Sequence, residues 1–151
     1  MSINAGMFTS NSDLWETPQD LFDKLNSIFH FDLDVCAVKE NAKCKRFYTP
    51  EQDGLTKPWD GVCNWCNSPY GRQISEWVKK AYHTAEDGRI VVMLLPARTD
   101  TRWFHDYIYY GKSEIHFIRG RLKFGNSKNS APFPSMIVVF KPGKKEGKNN
   151  Q

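Results

Sequence analysis

Apolar positions in this chain change period repeatedly, and the changes mark its elements. In "ETPQDLFDKLNSIF", Leu21, Phe22, Leu25, Ile28 and Phe29 fall on one face at helical spacing, with Thr17 placed to cap the helix and Pro18 suited to its first position. "FHFDLDVCA" follows as a short strand ending in acids. Next comes a stretch in which only "RFYT" resembles a strand and Pro50, Gly54 and Pro58 signal turns. "GVCNWC" then reads as a strand and "ISEWVKKAYHTAEDG" as a helix with Ile74, Trp77, Val78, Ala81, Tyr82 and Ala85 on one stripe. "RIVVMLLP", apolar almost throughout and bounded by Gly88 and Pro96, fits a strand covered on both faces. "TRWFHDYIYYG" predicts another helix, and "EIHFI" and "SMIVVF" two more strands.

Strands alternating with helices point to an α/β sheet with helices on both faces, in which ligands gather at the carboxyl ends of strands. A length of 151 residues suits one domain with one core. The division expected is a flexible segment over 1–14, a folded domain over 15–140 and a basic disordered tail over 141–151. Hydrophobic content of 40% and charged content of 25% are those of a soluble globular chain, and no apolar stretch approaches the roughly 20 residues that span a bilayer. The start lacks a basic region followed by an apolar core, so the expected location is the cytoplasm and the four cysteines are expected to be reduced. The net charge of +4 is concentrated late, in "RGRLKFGNSK" and "KPGKKEGKNNQ", which favours a nucleic acid as partner.

The chemistry concentrates where the strand "GVCNWC" turns toward the following helix, at Asn67, Ser68, Pro69 and Tyr70. These residues put an amide, a hydroxyl, a proline and an exposed aromatic ring just past a strand's carboxyl end. Asn, Ser and Pro are also plain turn formers, so a bland corner is the competing reading.

"NSPY" resembles the tetrapeptide written DPPY or NPPY in DNA methyltransferases that modify exocyclic amines, with Ser68 where that family usually has proline. "WETPQDLF", "FDLDVCA", "DGLTKPW", "VVMLLPARTDTRWFH", "IRGRLKF" and "SAPFPSMIVVF" resemble, in order, segments of the small bacteriophage and prophage DNA adenine methyltransferases. The resemblance implies a Rossmann-like methyltransferase fold, with a mixed, mostly parallel, seven-stranded sheet whose last strand is antiparallel. It implies S-adenosylmethionine as cosubstrate, DNA as partner, and methyl transfer to the N6 amine of adenine without a metal. Asn67, through its side-chain oxygen, and Ser68, through its backbone carbonyl, would accept the two amine hydrogens, and Tyr70 would stack on the extruded base. Thr17, Pro18, Asp34, Asp53 and Asn67 would surround the cofactor. Phe133 would lie beside the base, or plug the core. Arg98, Arg102, Arg119, Arg121 and Lys123 would contact phosphates, or simply be solvated.

Other classes compete. Cys63 and Cys66 form a CxxC that, with Cys36 and Cys44, would suit a zinc-containing nucleic-acid-binding module, but residues three apart on a strand face opposite ways. Cytosine carries an exocyclic N4 amine that the same corner would accept. Asp32 and Asp34 share a strand face but lack a third acid for a metal-dependent nuclease.

Overall fold

The computed structural model describes residues 15–111, 113–125 and 128–143, so the expected flexible segment 1–14 and the tail beyond residue 143 lie outside the described residues. Five strands, β1 (Leu33–Asp34), β2 (Cys63–Cys66), β3 (Ile90–Pro96), β4 (Glu114–Phe117) and β5 (Ser135–Phe140), form one sheet in the order β1-β2-β3-β5-β4. β1, β2 and β3 are parallel, and β5 runs antiparallel to both β3 and β4. The last strand is therefore reversed, as expected, and is inserted between its neighbours. The expected seven strands are corrected to five among the described residues. Between β1 and β2 the chain has turn formers in place of a strand period. There "RFYT" contributes only a bridge from Phe47 to Asp34, flanked by Asp34 N–H to Arg46 O and Tyr48 N–H to Asp34 O, each 3.0 Å.

The sheet is covered on both faces, and side-chain alternation shows why. Val91, Met93 and Leu95 of β3 join Met136, Val138 and Phe140 of β5 in one cluster, while Val92, Leu94, Ile137 and Val139 form the other. Helix α2 (Ile74–Glu86) buries Ile74, Trp77, Val78, Ala81 and Ala85 in the first cluster, as its stripe predicts. The segment expected as a helix after β3 is π-helical over Phe104–Tyr109 and buries Phe104 and Ile108 on the same side. Helix α1 (Gln19–Phe29) covers the other face through Phe22, with Leu21, Leu25 and Phe29 partly buried. Ile28 departs from the expected stripe and is 69% exposed, because the contact is narrow and centred on Phe22.

The start of α1 also departs from expectation. Pro18, with φ −58° and ψ 132°, is the residue before the helix and not its first turn, and no side chain among the described residues caps the helix. Thr17 is therefore not the helix cap, and its hydroxyl is engaged elsewhere.

Candidate active site

Parallel strands β1 and β2 end side by side, and the chain leaves them in opposite directions, which opens a crevice at their carboxyl ends. A cavity of about 500 Å³ lies there, within the usual range for a small-molecule site. Thr17, Asp34, Asp53, Asn67, Ser68 and Pro69 all line it. Six positions from four separate stretches of sequence are thus brought together. Pro18, Tyr70, Phe133, Arg98, Arg119, Arg121 and Lys123 are not among its lining residues.

The corner after β2 is fixed from both sides. Gly71, at φ 137°, takes a backbone conformation that side chains disfavour and turns the chain into α2, whose first residue Ile74 donates its N–H to Gly71 O at 3.2 Å. Asn67 Nδ2 donates to the backbone carbonyl of Trp15 and, at 2.9 Å, to Thr17 Oγ1. Its Oδ1 is enclosed and has no hydrogen-bond partner among the described residues. A buried acceptor left unpaired costs roughly 1–3 kcal/mol, so it marks a place where a donor is missing. Ser68 is buried, with its backbone and hydroxyl against the Cys66 thiol.

Tyr70 requires a correction: it is 3% exposed, not an exposed ring. Phe133 packs edge-on against it at 5.4 Å and also meets Trp15 at 5.2 Å and Phe124 at 6.0 Å. The hydroxyl of Tyr70 is enclosed without a partner among the described residues. Burial pushes this phenol above its usual range, Cys66 adds to the effect, and the positive charge of Arg98 opposes it. Phe133, half-buried, follows the packing alternative for that residue.

On the β1 side the acids are set differently. Asp34 is 2% exposed, and its oxygens accept the backbone N–H groups of Cys36 at 3.2 Å and Lys43 at 3.0 Å. Burial nevertheless raises its carboxyl to about 6, against the lowering effect of those hydrogen bonds and of Lys43. Asp53 sits at φ 57°, a left-handed conformation that Asp tolerates better than most residues, and its carboxylate accepts from Leu55 N at 3.2 Å. Gly54 beside it is compulsory: a Cβ there would lie 2.1 Å from the Val35 carbonyl, so only glycine lets this turn press against the end of β1. Asp32 faces another way, its oxygens accepting from Val62 N and Cys63 N at 3.0 Å.

The model of the family DNA N-6-adenine-methyltransferase (Dam) matches residues 5–149. The chain belongs to this family. It is 34% identical over 140 residues to the DNA N-6-adenine-methyltransferase of Haemophilus phage HP1, covering 88% of this chain and 81% of that protein. It is 38% identical over 94 residues to the DNA N-6-adenine-methyltransferase of Escherichia phage T1, covering 61% of this chain and 39% of the longer relative.

The cavity fits the methyl donor that a Dam-family enzyme requires. S-adenosylmethionine carries cationic and hydroxyl groups, which suit Asp34 and Asp53, and it has no phosphate. The turn after β1 therefore needs no Gly-rich phosphate cradle. Its N–H groups are used within the protein, Val35 N–H on Trp65 O at 3.0 Å and Ala37 N–H on Tyr48 O at 2.9 Å. Trp77, expected only as part of the α2 stripe, lines the cavity with an enclosed Nε1 that has no partner among the described residues. Its indole nitrogen was the one polar group on that stripe besides the Tyr82 hydroxyl, and that was the available signal. Trp15 was missed because it contributes a backbone carbonyl, which no side-chain pattern reveals.

The cysteines follow strand geometry. β2 turns Cys66 toward the α2 face and Cys63 toward the other, and burial raises every thiol, those of Cys36 and Cys44 to about 12. Among the described residues no group of three His, Cys, Asp or Glu side chains is placed to hold a metal. Arg119, Arg121 and Lys123 are exposed and alternate with Leu122 and Phe124, which pack against the core. No helix among the described residues is long and apolar enough to cross a membrane.

Proposed function

We propose that residues 67–70 are the catalytic corner of a DNA adenine-N6 methyltransferase, with S-adenosylmethionine held in the neighbouring cavity by Thr17, Pro18, Asp34 and Asp53. The observation that carries this is the Asn67 amide, whose donor end is tied down while its Oδ1 stays enclosed and unpaired beside the cavity. When bound, the cofactor supplies a methyl group already activated on a sulfonium, so the reaction calls for no metal and no covalent enzyme intermediate.

The protein's task is then placement. An adenine amine is a weak nucleophile while its lone pair is delocalised into the ring. Asn67 Oδ1 and the Ser68 backbone carbonyl accept its two hydrogens, which turns the lone pair toward the methyl carbon. Transfer would leave the donor as a neutral thioether, and the amine held by Asn67 and Ser68 would give up one proton to water. Tyr70 stays a neutral phenol, because burial raises it, and so acts as a ring surface and not as a base. Stacking on Tyr70 requires Phe133 to swing aside, since the two rings are already in contact. Arg98, Arg119, Arg121 and Lys123 hold phosphates while this occurs, and the cell's cytoplasm supplies both DNA and cofactor.

Incubation of the protein with unmethylated DNA and labelled cofactor, followed by digestion to nucleosides, tests the reading directly. The expected product is N6-methyladenine. N4-methylcytosine would transfer the corner to the other amine, and DNA binding with stoichiometric zinc but no transfer would replace the enzyme by a binding module.

A further inference from the structure

The two ends of an asparagine amide have nearly the same outline and opposite hydrogen-bonding sense, so something must choose between them. At Asn67 the choice is made by a group with no proton to give. The Trp15 carbonyl can only accept, and Nδ2 must therefore face it. The second amide proton goes to Thr17 Oγ1 at 2.9 Å, across 50 residues of sequence. Both N–H groups are then used, and Oδ1 keeps both lone pairs. Thr17 is 5% exposed, and it stands one residue away from a helix that begins with no side-chain cap. Its hydroxyl is diverted from the local role that a threonine at a helix start ordinarily takes.

Residues 15–17 are themselves held. The Trp15 ring packs on Phe124 at 5.3 Å and on Phe133 at 5.2 Å, and Glu16 O accepts Gly125 N–H at 2.9 Å. We infer that residues 15–17 form an orienting clamp for Asn67, in which Thr17 is a positioning residue for methyl transfer acting through the amide, on top of any contact it makes with the cofactor. The inference rests on Asn67 being the amine acceptor. It has a consequence specific to this chain. Aspartate at position 67 would put a carboxylate oxygen against the Trp15 carbonyl, two acceptors with no proton between them, so Asn and Asp are not interchangeable here.

The test measures kcat on DNA and, separately, cofactor Kd for Thr17→Val, Thr17→Ser and Asn67→Asp. Thr17→Val should lower kcat on the order of 10–100-fold, over and above any rise in cofactor Kd from its own contact with the cofactor, since the amide loses one of its two anchors and is held by the Trp15 carbonyl alone. Thr17→Ser should recover most of that loss, and Asn67→Asp should lose on the order of 100-fold or more. Unchanged kcat in Thr17→Val, or a higher Kd at unchanged kcat, would overturn the clamp. If Thr17→Val does not fold, hydrogen exchange of the Asn67 side-chain amide in the unaltered protein decides: protection supports the clamp and free exchange overturns it. Asn67→Ala separates the two levels. If it is inactive while Thr17→Val is normal, only the clamp fails; if it is active, the acceptor role fails first.

Discussion

The carboxyl edge of the sheet is built in two unlike halves. Beside β1 and β2 it opens into a cavity of about 500 Å³ whose walls carry Asp34, Asp53 and the unpartnered Nε1 of Trp77. Beside β3 and β5 the same edge is filled: Tyr70, Phe133, Trp15 and Phe124 pack ring on ring, with centroids 5.2 to 6.0 Å apart. The corner at residues 67–70 lies on the boundary, with Asn67, Ser68 and Pro69 on the open side and Tyr70 on the closed one. On the proposed reading the cofactor site would be preformed, while the base site would have to be created by moving an aromatic plug, which would confine methyl transfer to an occasion when the target is present.

The largest effect should come from the boundary itself. Asn67→Ala removes the oriented acceptor and should lower kcat on the order of 10²–10³-fold, by analogy with the loss of one preorganised polar group elsewhere. Cofactor Kd, measured by calorimetry, should stay within a few-fold. A variant that keeps full turnover would show that the open and closed halves do not meet at Asn67. Tyr70→Ala should act on the closed half alone. Loss of base stacking, about 1–3 kcal/mol, lowers kcat/KM for DNA roughly 5–150-fold, and cofactor Kd is spared because Tyr70 does not line the cavity. A raised cofactor Kd in that variant would merge the two halves.

The open half was the more legible of the two in sequence. Asp34, Asp53 and the "NSPY" corner each follow a strand or precede a turn, and local pattern places them. The central strands were legible for the same reason, since β3 and β5 alternate between two clusters with period two. The closed half was misread because its defining contacts are long-range. Tyr70 has turn formers for neighbours and reads as exposed, but its burial depends on Phe133, which arrives from the loop before β5. Thr17 reads as a helix cap, and a partner far along the chain takes its hydroxyl instead. The expected seven strands came from family resemblance and not from any periodicity between β1 and β2, where the turn formers prevail.

A smaller, pH-dependent effect sharpens the open half. The folded-state carboxyl of Asp34 lies at about 6, above its ordinary value of 3.8, because burial disfavours the charge. The folded protein therefore binds this proton more tightly than the unfolded chain. Stability from Asp34 is fully present below about 3.8 and falls as pH rises toward 6, by about 3 kcal/mol over the window. Cofactor binding has the opposite sign. An ionised Asp34 is the form that attracts a cationic ligand, so cofactor Kd should rise up to about tenfold per unit as pH drops below 6. Asp34→Asn should flatten both trends relative to the unaltered protein, as read by thermal melts with and without cofactor between pH 4 and 7. A cofactor Kd that rises below pH 6 with the same slope in the variant would remove Asp34 from the site.

The smallest expected effect concerns the outer surface of the closed half. Arg119, Arg121 and Lys123 are exposed while Leu122 and Phe124 pack inward, and Gly120, at φ 76°, bends the chain between the first two cations. Phe124 touches Trp15 and Phe133, so a strand of DNA lying on these cations would rest on a segment packed against Phe133, the ring that has to swing aside for stacking on Tyr70. Arg121 also reaches the Ala131 carbonyl at 3.5 Å, which makes Lys123 the cleaner probe. Lys123→Ala should reduce the slope of log affinity against log salt by about 1 and weaken binding evenly across DNA sequences, the signature of one lost phosphate contact. An unchanged slope would make the row ordinary solvated surface, and the plug over Tyr70 would then need another handle.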